Sequence, residues 1–289
     1  MFALATYRTG AKGEAPAVVL DNKLYDAREA LPNGLAGAVA DWPRAQAVVR
    51  KLADQARDGK LPAVREGIGS LTAPLRPTRI FCAAANYIEH AKEMGTVLAS
   101  KATSKPYMFL KLQDTIVGPG DDVIKPPETE KLDWEVELAV VIGRQARRIG
   151  VDQALDYVAG YSVLNDISAR DLNKRTDYPF AFDWFQGKSW DTFAPFGPWI
   201  VPAWLVKDPQ AMNLSLKVNG KTMQDSSTAT MIWTVREQIS YLSQILTLRP
   251  GDVIATGTPA GIAPIEPGDT VAVTVEGVGT LVNRVEAEP

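Results

Sequence analysis

Residues 132–142, LDWEVELAVVI, place two carboxylates inside an apolar stretch that is typical of a strand buried on both faces. Because side chains alternate along a strand, Glu135 and Glu137 share one face, and Asp133 is next in the same row. Buried like charges repel each other and lose hydration, so this pattern favours a site in which a cation bridges them. The alternative for an isolated Glu-x-Glu pair is the solvated edge of a sheet.

The composition is that of an ordinary globular protein. The chain has 289 residues, enough for one large domain or a large and a small one, and 46% of them are hydrophobic and 22% charged. A net charge of −3 gives no electrostatic signature of a nucleic-acid or anionic-membrane partner, and we expect neither. The first residues do not resemble a signal peptide and no apolar run reaches membrane-spanning length, so we expect a cytoplasmic protein.

Histidine and cysteine counts restrict the possible metal chemistry. The single histidine, His90, excludes a three-histidine site and an HExxH zinc site. Any metal must therefore be held mainly by oxygen atoms, which favours magnesium, manganese or calcium. The single cysteine, Cys82, lies in an apolar run and is interpreted as a small core residue.

The first part of the chain is predicted to form a separate module. Strand patterns cover residues 2–7, 17–20 and 23–25, and a helical pattern covers residues 42–58. A proline-containing linker at residues 71–77 follows. We therefore expect a small N-terminal α/β domain at residues 1–72 and a larger domain at residues 73–289, with packing or pocket covering as the role of the first.

The larger domain is predicted to be rich in strands. Further strands are predicted at residues 80–84, 109–112, 115–117, 160–164, 253–255 and 270–275. Helices are predicted at residues 151–158 and 230–246, and Asn219-Gly220 marks the tip of a hairpin. Strands outnumber helices and do not alternate regularly with them, which indicates a β-rich α+β fold and argues against Rossmann and TIM arrangements.

Four further polar residues form candidates for catalysis or binding. His90 and Glu93 are three residues apart, so on a helical turn they share a face and supply a base with an orienting partner. The polar segment that follows them through Ser104 is interpreted as a lid. Asp166, after a predicted strand, offers a third oxygen ligand, and Lys188 offers a charge to neutralise a bound substrate. The alternatives are a turn cap for Asp166, a solvated Lys188 and a structural histidine.

In their order along the chain these residues resemble the fumarylacetoacetate hydrolase family, and the resemblance runs from about Arg79 to the end. The matching pieces are Asn86-Tyr87, His90, Glu93, DWEVEL at 133–138, Gly160-Tyr161, Asn165-Asp166, SARD at 168–171, Gly187-Lys188-Ser189, Asp191-Thr192, Gly197-Pro198-Trp199, Asn219-Gly220, Gln224, Pro250-Gly251-Asp252 and TGTPAG at 256–261. The resemblance implies a mixed β-sandwich or β-roll catalytic domain and a homodimer.

The resemblance also implies roles for individual residues. Glu135, Glu137 and Asp166 would hold a divalent cation, with Mg²⁺ expected and Mn²⁺ or Ca²⁺ as alternatives. His90 and Glu93 would activate water on a segment that orders when ligand binds, and Lys188 would lie beside the cation. The residues implied for substrate binding are Tyr87, Arg170, Asn173 and Thr258.

The implied substrate is a small molecule with a 2-oxo acid end. We expect hydrolysis of a C–C bond in an acylpyruvate or 2,4-dioxo acid, giving pyruvate and a carboxylic acid. An isomerase, decarboxylase or hydratase acting on 2-oxo-diacids remains open, as does a non-catalytic metal-binding protein of the same fold. The chain departs from the family pattern at Ala84, where glycine is usual, and at Asn173, where glutamine is usual; both changes concern the identity of the substrate.

Overall fold

The computed structural model describes residues 1–10, 13–95 and 97–289. Its strands are β1 (Phe2–Thr9), β2 (Gly13–Leu20), β3 (Lys23–Asp26), β4 (Leu71–Thr72), β5 (Ile80–Ala84), β6 (Tyr107–Lys111), β7 (Ile116–Val117), β8 (Asp122–Lys125), β9 (Leu132–Asp133), β10 (Val136–Ile142), β11 (Val158–Asn165), β12 (Ser168–Ala169), β13 (Ala194–Pro202), β14 (Asn213–Val218), β15 (Lys221–Ser227), β16 (Val253–Ala255), β17 (Thr270–Val275) and β18 (Gly279–Ala287). Its helices are α1 (Gly34–Ala40), α2 (Trp42–Arg57), α3 (Ile88–Glu93), α4 (Trp184–Lys188) and α5 (Val235–Ile245).

Two sheets form the body of the protein, which confirms the predicted β-rich fold. The larger sheet has the order β3-β2-β1-β13-β11-β10-β16-β5-β6, with β4 paired to β1 and β7 to β13. The smaller sheet has the order β15-β14-β17-β18-β8. Strand β10 is buried along its whole length, as its apolar sequence predicts. One of its faces, with Val136 and Leu138, shares a hydrophobic core with Leu214 and Val273 of the smaller sheet.

The first strands of the chain extend the larger sheet. Strand β1 pairs with β13 through Leu4 and Ile200. The predicted helix at residues 42–58 is confirmed as α2, and its Trp42 lies in one core with Ala139 and Val141 of β10. Residues 1–72 are therefore joined to the remainder by both hydrogen bonds and apolar packing, while their assignment as a separate domain stays a prediction.

Two helix predictions need correction. At residues 151–158 the structure has only a short 3₁₀ segment, Ala154–Tyr157, and Val158 already pairs with Ile142 as the first residue of β11. An eight-residue pattern is too short to hold a helix against a competing strand pairing. Helix α5 begins later than predicted because Thr234 and Glu237 form a capping box that fixes its N-terminus.

None of the helices in residues 1–10, 13–95 and 97–289 is long and apolar enough to cross a bilayer.

Candidate active site

Glu135, Glu137 and Asp166 meet where β10 begins and β11 ends. Val136 pairs with Asn165, and the backbone N–H of Asp166 donates to the carbonyl of Glu135 at 3.0 Å. One carboxylate oxygen from each of the three acidic residues lies within 4.8 Å of the other two, and all three side chains are buried. The three acidic residues that the sequence predicts as ligands are thus brought together on rigid sheet backbone.

Side-chain amides and a turn fix this arrangement. Asn165 Oδ1 accepts from the backbone N–H of Glu135 at 2.9 Å, and Gln224 Oε1 accepts from that of Val136 at 3.0 Å. Glu137 Oε2 accepts from the backbone N–H of Gly257 at 2.6 Å. The start of β10 therefore has little freedom to move, which suits a preorganised binding site.

Three cationic side chains surround the carboxylates. Lys188 Nζ lies 2.9 Å from Glu135 Oε2 and 3.0 Å from Asp166 Oδ2. Arg170 Nη2 lies 2.5 Å from Glu135 Oε1, and Lys111 Nζ lies 2.6 Å from Asp166 Oδ1. Lys188 and Arg170 were predicted from the sequence, whereas Lys111 was missed; the available signal was a lysine at the end of the apolar stretch YMFLKL.

The carboxylates differ in how well they are neutralised. Burial opposes ionisation of Glu135, but the charges of Lys188 and Arg170 hold its pKa below the ordinary value. For Glu137, burial raises the pKa well above the ordinary value, and the neighbouring carboxylates Asp166 and Glu135 raise it further. Glu137 forms no ion pair within the described ranges. It is therefore the acid that gains most from an added cation.

The donor set fits a divalent cation. Asp166 Oδ1 is buried and accepts no hydrogen bond in the described part of the chain, although Lys111 lies beside it. Three carboxylates on fixed backbone offer the hard oxygen ligands that Mg²⁺ and Mn²⁺ prefer. Glu135, Glu137 and Asp166 are thus the residues that would hold such an ion.

The predicted base and its partner lie directly beside these carboxylates. On helix α3, His90 Nδ1 lies 3.3 Å from Glu93 Oε2, and His90 Nε2 lies 3.9 Å from Glu135 Oε1. The Glu93 carboxylate also accepts from the backbone N–H of Gly261, at 3.1 Å. Burial lowers the pKa of His90 and outweighs the attraction of Glu135, so the imidazole is neutral at pH 7, as a general base must be.

A pocket is lined by residues of both the carboxylate cluster and the His90–Glu93 pair. Its polar lining comes from His90, Glu135, Arg170, Lys188 and Thr258, so the sequence-predicted Arg170 and Thr258 do face it. Its apolar lining comes from Ala83, Ala84, Ala85, Met94, Phe109 and Trp184. This combination suits a small ligand with one charged end and one less polar end.

Two predicted substrate residues lie outside that lining in the part of the chain that the structure describes. Tyr87 is fully buried and forms an isolated bridge with Met231. Asn173 is buried against Gly187, where an added Cβ would come within 1.6 Å of its Oδ1. Their substrate contacts stay predictions, and the structure gives Asn173 a packing role beside the segment that carries Lys188.

An aromatic residue of α4, the helix that carries Lys188, contributes one wall of the pocket. Trp184 stacks on Phe109, with ring centroids 5.1 Å apart, and on Phe182, at 5.9 Å. Phe185 is 68% exposed and does not line the pocket among the described residues. Trp184 is therefore the aromatic residue of this segment that supplies the pocket wall.

The predicted lid contacts helix α5. Lys101, in a 3₁₀ segment, lies 2.8 Å from Glu237 Oε2 and 5.0 Å above the Trp233 ring. Thr96, also part of the predicted lid, lies outside the described residues. The contact joins the segment to the N-terminal end of α5.

Comparison with known proteins supplies the family. The model of the fumarylacetoacetate (FAA) hydrolase C-terminal domain matches residues 79–286. The chain belongs to the fumarylacetoacetate hydrolase family. The match begins one residue before β5 and contains all the cluster residues, so the resemblance predicted from the motifs is confirmed.

Three relatives show the range of activities among similar proteins. The mitochondrial oxaloacetate tautomerase of Rattus norvegicus is 34% identical over 275 residues, covering 92% of this chain and 83% of that protein. Maleylpyruvate hydrolase from Sphingobium sp. SYK-6, solved with manganese(II) and pyruvate, is 27% identical and covers 99% of this chain and all of that one, with a TM-score of 0.81. Fumarylpyruvate hydrolase from Pseudomonas aeruginosa, solved with Mn²⁺ and pyruvate, is 36% identical and covers 75% and 91%, with a TM-score of 0.68.

Proposed function

We propose that the protein is a divalent-cation-dependent hydrolase that cleaves the C–C bond of an acylpyruvate to give pyruvate and a carboxylic acid. The observation that carries this proposal is the His90–Glu93 pair, whose imidazole Nε2 lies 3.9 Å from Glu135 of the carboxylate cluster. A base beside a cation site is the arrangement that activation of water requires. The similarity to maleylpyruvate and fumarylpyruvate hydrolases supports it.

The charges of the site suit a 2-oxo acid. The cationic side chains Lys111, Arg170 and Lys188 lie among its carboxylates. A bound divalent ion would add two further positive charges at these carboxylates. This added charge favours a ligand with an anionic end, such as the carboxylate of a 2-oxo acid, over a neutral one.

The cation would bind the 2-oxo acid end and supply positive charge that stabilises an enolate. The ammonium of Lys188 lines the same pocket and adds a second, fixed positive charge near that end. Because the negative charge on the pyruvate part grows as the C–C bond breaks, Lys188 stabilises the transition state more than the ground state.

His90 moves the proton. Glu93 beside Nδ1 favours the tautomer with Nδ1–H, which leaves Nε2 free to take a proton from water. The water oxygen bonds to the distal acyl carbon, the adjacent C–C bond breaks, and its electron pair passes to the pyruvate enolate. The imidazolium then returns the proton to C3 of the enolate, giving pyruvate and the acid.

A second candidate is an isomerase of 2-oxo-diacids, which uses the same enolate without an attacking water. The specific observation in its favour is the similarity to an oxaloacetate tautomerase along 92% of this chain. The same centre would also serve a decarboxylase. All three reactions need the carboxylates and Lys188, and only hydrolysis needs His90 to activate water.

Product analysis by NMR separates these reactions. Simple acylpyruvates and oxaloacetate are incubated with the protein and Mg²⁺ or Mn²⁺, and again after chelation. We expect cation-dependent release of pyruvate and a carboxylic acid from the acylpyruvates. Interconversion or decarboxylation of oxaloacetate with acylpyruvates untouched would contradict hydrolysis, and cation binding without any turnover would indicate a binding protein. The homodimer stays a prediction, which light scattering would check.

A further inference from the structure

Lys111 is a lysine in an unusual place. It ends the edge strand β6, whose other residues are exposed or half-buried, yet its side chain is 0% exposed. Lysine is almost never buried to this degree unless its ammonium is paired, because removing a charge from water costs free energy. The partners of its ammonium therefore indicate why the chain keeps a charge there.

Three oxygen atoms lie close to the ammonium. Lys111 Nζ donates to the backbone carbonyls of Ile167, at 2.8 Å, and Phe193, at 2.5 Å. Its third neighbour is Asp166 Oδ1 at 2.6 Å. Two of the three donors of the ammonium are thus used by backbone carbonyls, and its charge lies beside the Asp166 carboxylate.

The contacts of Lys111 fix both the carboxylate and the backbone of Asp166. The carbonyl of Phe193 accepts from Lys111 and also from the backbone N–H of Ile167, at 3.1 Å. The turn that follows β11 is thereby tied to residue 193. On the carboxylate itself, Lys111 lies beside Oδ1 and Lys188 beside Oδ2, at 3.0 Å. Each oxygen of Asp166 thus has its own lysine.

We propose that Lys111 is a positioning residue that holds the Asp166 carboxylate and its turn in the geometry that binds the divalent cation. The inference rests on the proposed cation site. Lys111 does not line the pocket among the described residues, whereas Lys188 does, so the two lysines on Asp166 have different tasks. Lys188 acts on the substrate, and Lys111 acts through Asp166.

Lys111→Met tests the role, because methionine has a similar length and no charge. Mn²⁺ affinity is measured by calorimetry without substrate, on wild type and variant. We expect Mn²⁺ binding to weaken about 10-fold, the usual cost of removing a group that orients a metal ligand. Lys125→Met is the matched control: Lys125 is also largely buried and ion-paired, to Glu266 at 2.6 Å, but lies in the smaller sheet. Its Mn²⁺ affinity should equal that of wild type.

If Lys111 acted only through its charge, Lys111→Met would change the Mn²⁺ affinity in the opposite direction. Removing a positive charge beside the carboxylates strengthens their attraction for Mn²⁺ if nothing moves. Tighter or unchanged binding by Lys111→Met would therefore overturn the positioning role. A purely structural role would lower stability to urea and leave the Mn²⁺ affinity of the folded variant unchanged, which also contradicts the proposal.

A second variant guards against misfolding. Lys111→Gln is neutral but keeps a donor for a backbone carbonyl, so it carries the same calorimetric test if Lys111→Met does not fold. Failure of both to fold would overturn the proposal, because it would assign Lys111 to folding. The outcome is separable from the proposed reaction: wild type that binds Mn²⁺ but hydrolyses no acylpyruvate refutes the reaction and leaves the Lys111 comparison intact. Wild type that binds no Mn²⁺ would overturn both.

Discussion

The carboxylate part of the site and the histidine part are held by different kinds of structure. Glu135, Glu137 and Asp166 lie at the ends of β10 and β11, which have paired neighbours on both sides in the larger sheet. His90 and Glu93 lie on α3, a helix of only six residues followed by the predicted lid. A helix this short has little stability of its own.

Hydrogen bonds to other parts of the chain hold this short helix in place. Asn86, just before α3, donates to the carbonyls of Trp233, at 2.9 Å, and Thr256, at 2.8 Å, and accepts from the backbone N–H of Trp233. Gly261 donates to Glu93 at the other end. In the proposed reaction, cation binding would rest on the rigid sheet and water activation on a short docked segment, so the two properties should separate by mutation.

The largest effect is expected from Glu137→Gln on the sheet side. Loss of a ligand should weaken Mn²⁺ binding by more than about 100-fold and remove turnover by about 1,000-fold or more, because the cation's several kcal/mol of charge stabilisation are lost. The metal-free variant should melt at a higher temperature than metal-free wild type, since a carboxyl group whose ionisation is opposed by burial is replaced by a neutral amide. Calorimetry and thermal melting with and without Mn²⁺ check this.

The exposed Glu130→Gln, a few residues earlier in the chain, is the matched control and should behave as wild type. Full Mn²⁺ affinity in Glu137→Gln would show that Glu137 is not a ligand of the cation.

His90→Ala, on the helix side, should show the complementary loss. Turnover should fall by about 10²–10⁴-fold, the usual contribution of a general base, while Mn²⁺ affinity stays close to that of wild type. Steady-state kinetics and calorimetry on one preparation measure both. The exposed Lys92→Ala on the same helix controls for damage to α3. Unchanged turnover in His90→Ala would refute the role of His90 as the base. A loss of Mn²⁺ binding equal to that of Glu137→Gln would show that the carboxylate part and the histidine part of the site do not act separately.

The pH dependence of kcat/KM sharpens the assignment of the base. Burial lowers the pKa of His90 below its ordinary 6.5, in the presence of the facing groups Glu135, Arg170, Glu93 and Lys188. In the proposed reaction the neutral imidazole is the active form, so the rate should be constant at neutral pH and fall only as the pH drops below that lowered pKa. His90→Ala should lack this acidic limb.

Asp133 is the competing group, because burial raises its pKa to about 7 against the influence of Arg170. A limb near pH 7 that disappears in Asp133→Asn would assign the dependence to Asp133 and contradict the histidine.

The smallest effect is expected at the lid contact. Lys101 is 44% exposed at its side chain, and exposed ion pairs contribute at most about 1 kcal/mol. Lys101→Ala should therefore raise KM by no more than about fivefold, with kcat unchanged and the difference reduced by salt. Steady-state kinetics check this, with Lys105→Ala, at an exposed lysine of the same region, as the control variant. A large fall in kcat would show that the segment helps to form the site rather than to retain the substrate.

Local periodicity explains which parts of this picture the sequence could predict. The alternation of a strand fixes that Glu135 and Glu137 share a face, and the three-residue spacing of a helix brings His90 to Glu93, so both pairs follow from neighbours in sequence. Lys111 could not be found this way. The groups around its ammonium are a carboxylate and two carbonyls at least 55 residues away, and no local pattern encodes them.

The wrong helix prediction has the same origin. The helix predicted at residues 151–158 does not form because Val158 pairs with Ile142, which is a tertiary contact. The packing of Asn173 against Gly187 is likewise a tertiary contact that a sequence position cannot reveal, and the substrate role of Asn173 stays a prediction.

Hydrolysis in ¹⁸O-labelled water tests the central claim most directly. An acylpyruvate is incubated with the protein and Mn²⁺ in labelled water, and the carboxylic acid product is analysed by mass spectrometry. The site predicts one ¹⁸O atom in the new carboxyl group, because a water activated by His90 attacks the acyl carbon. Intact acylpyruvate, or an acid product without the label, would contradict hydrolysis by a water molecule that His90 activates beside the carboxylates.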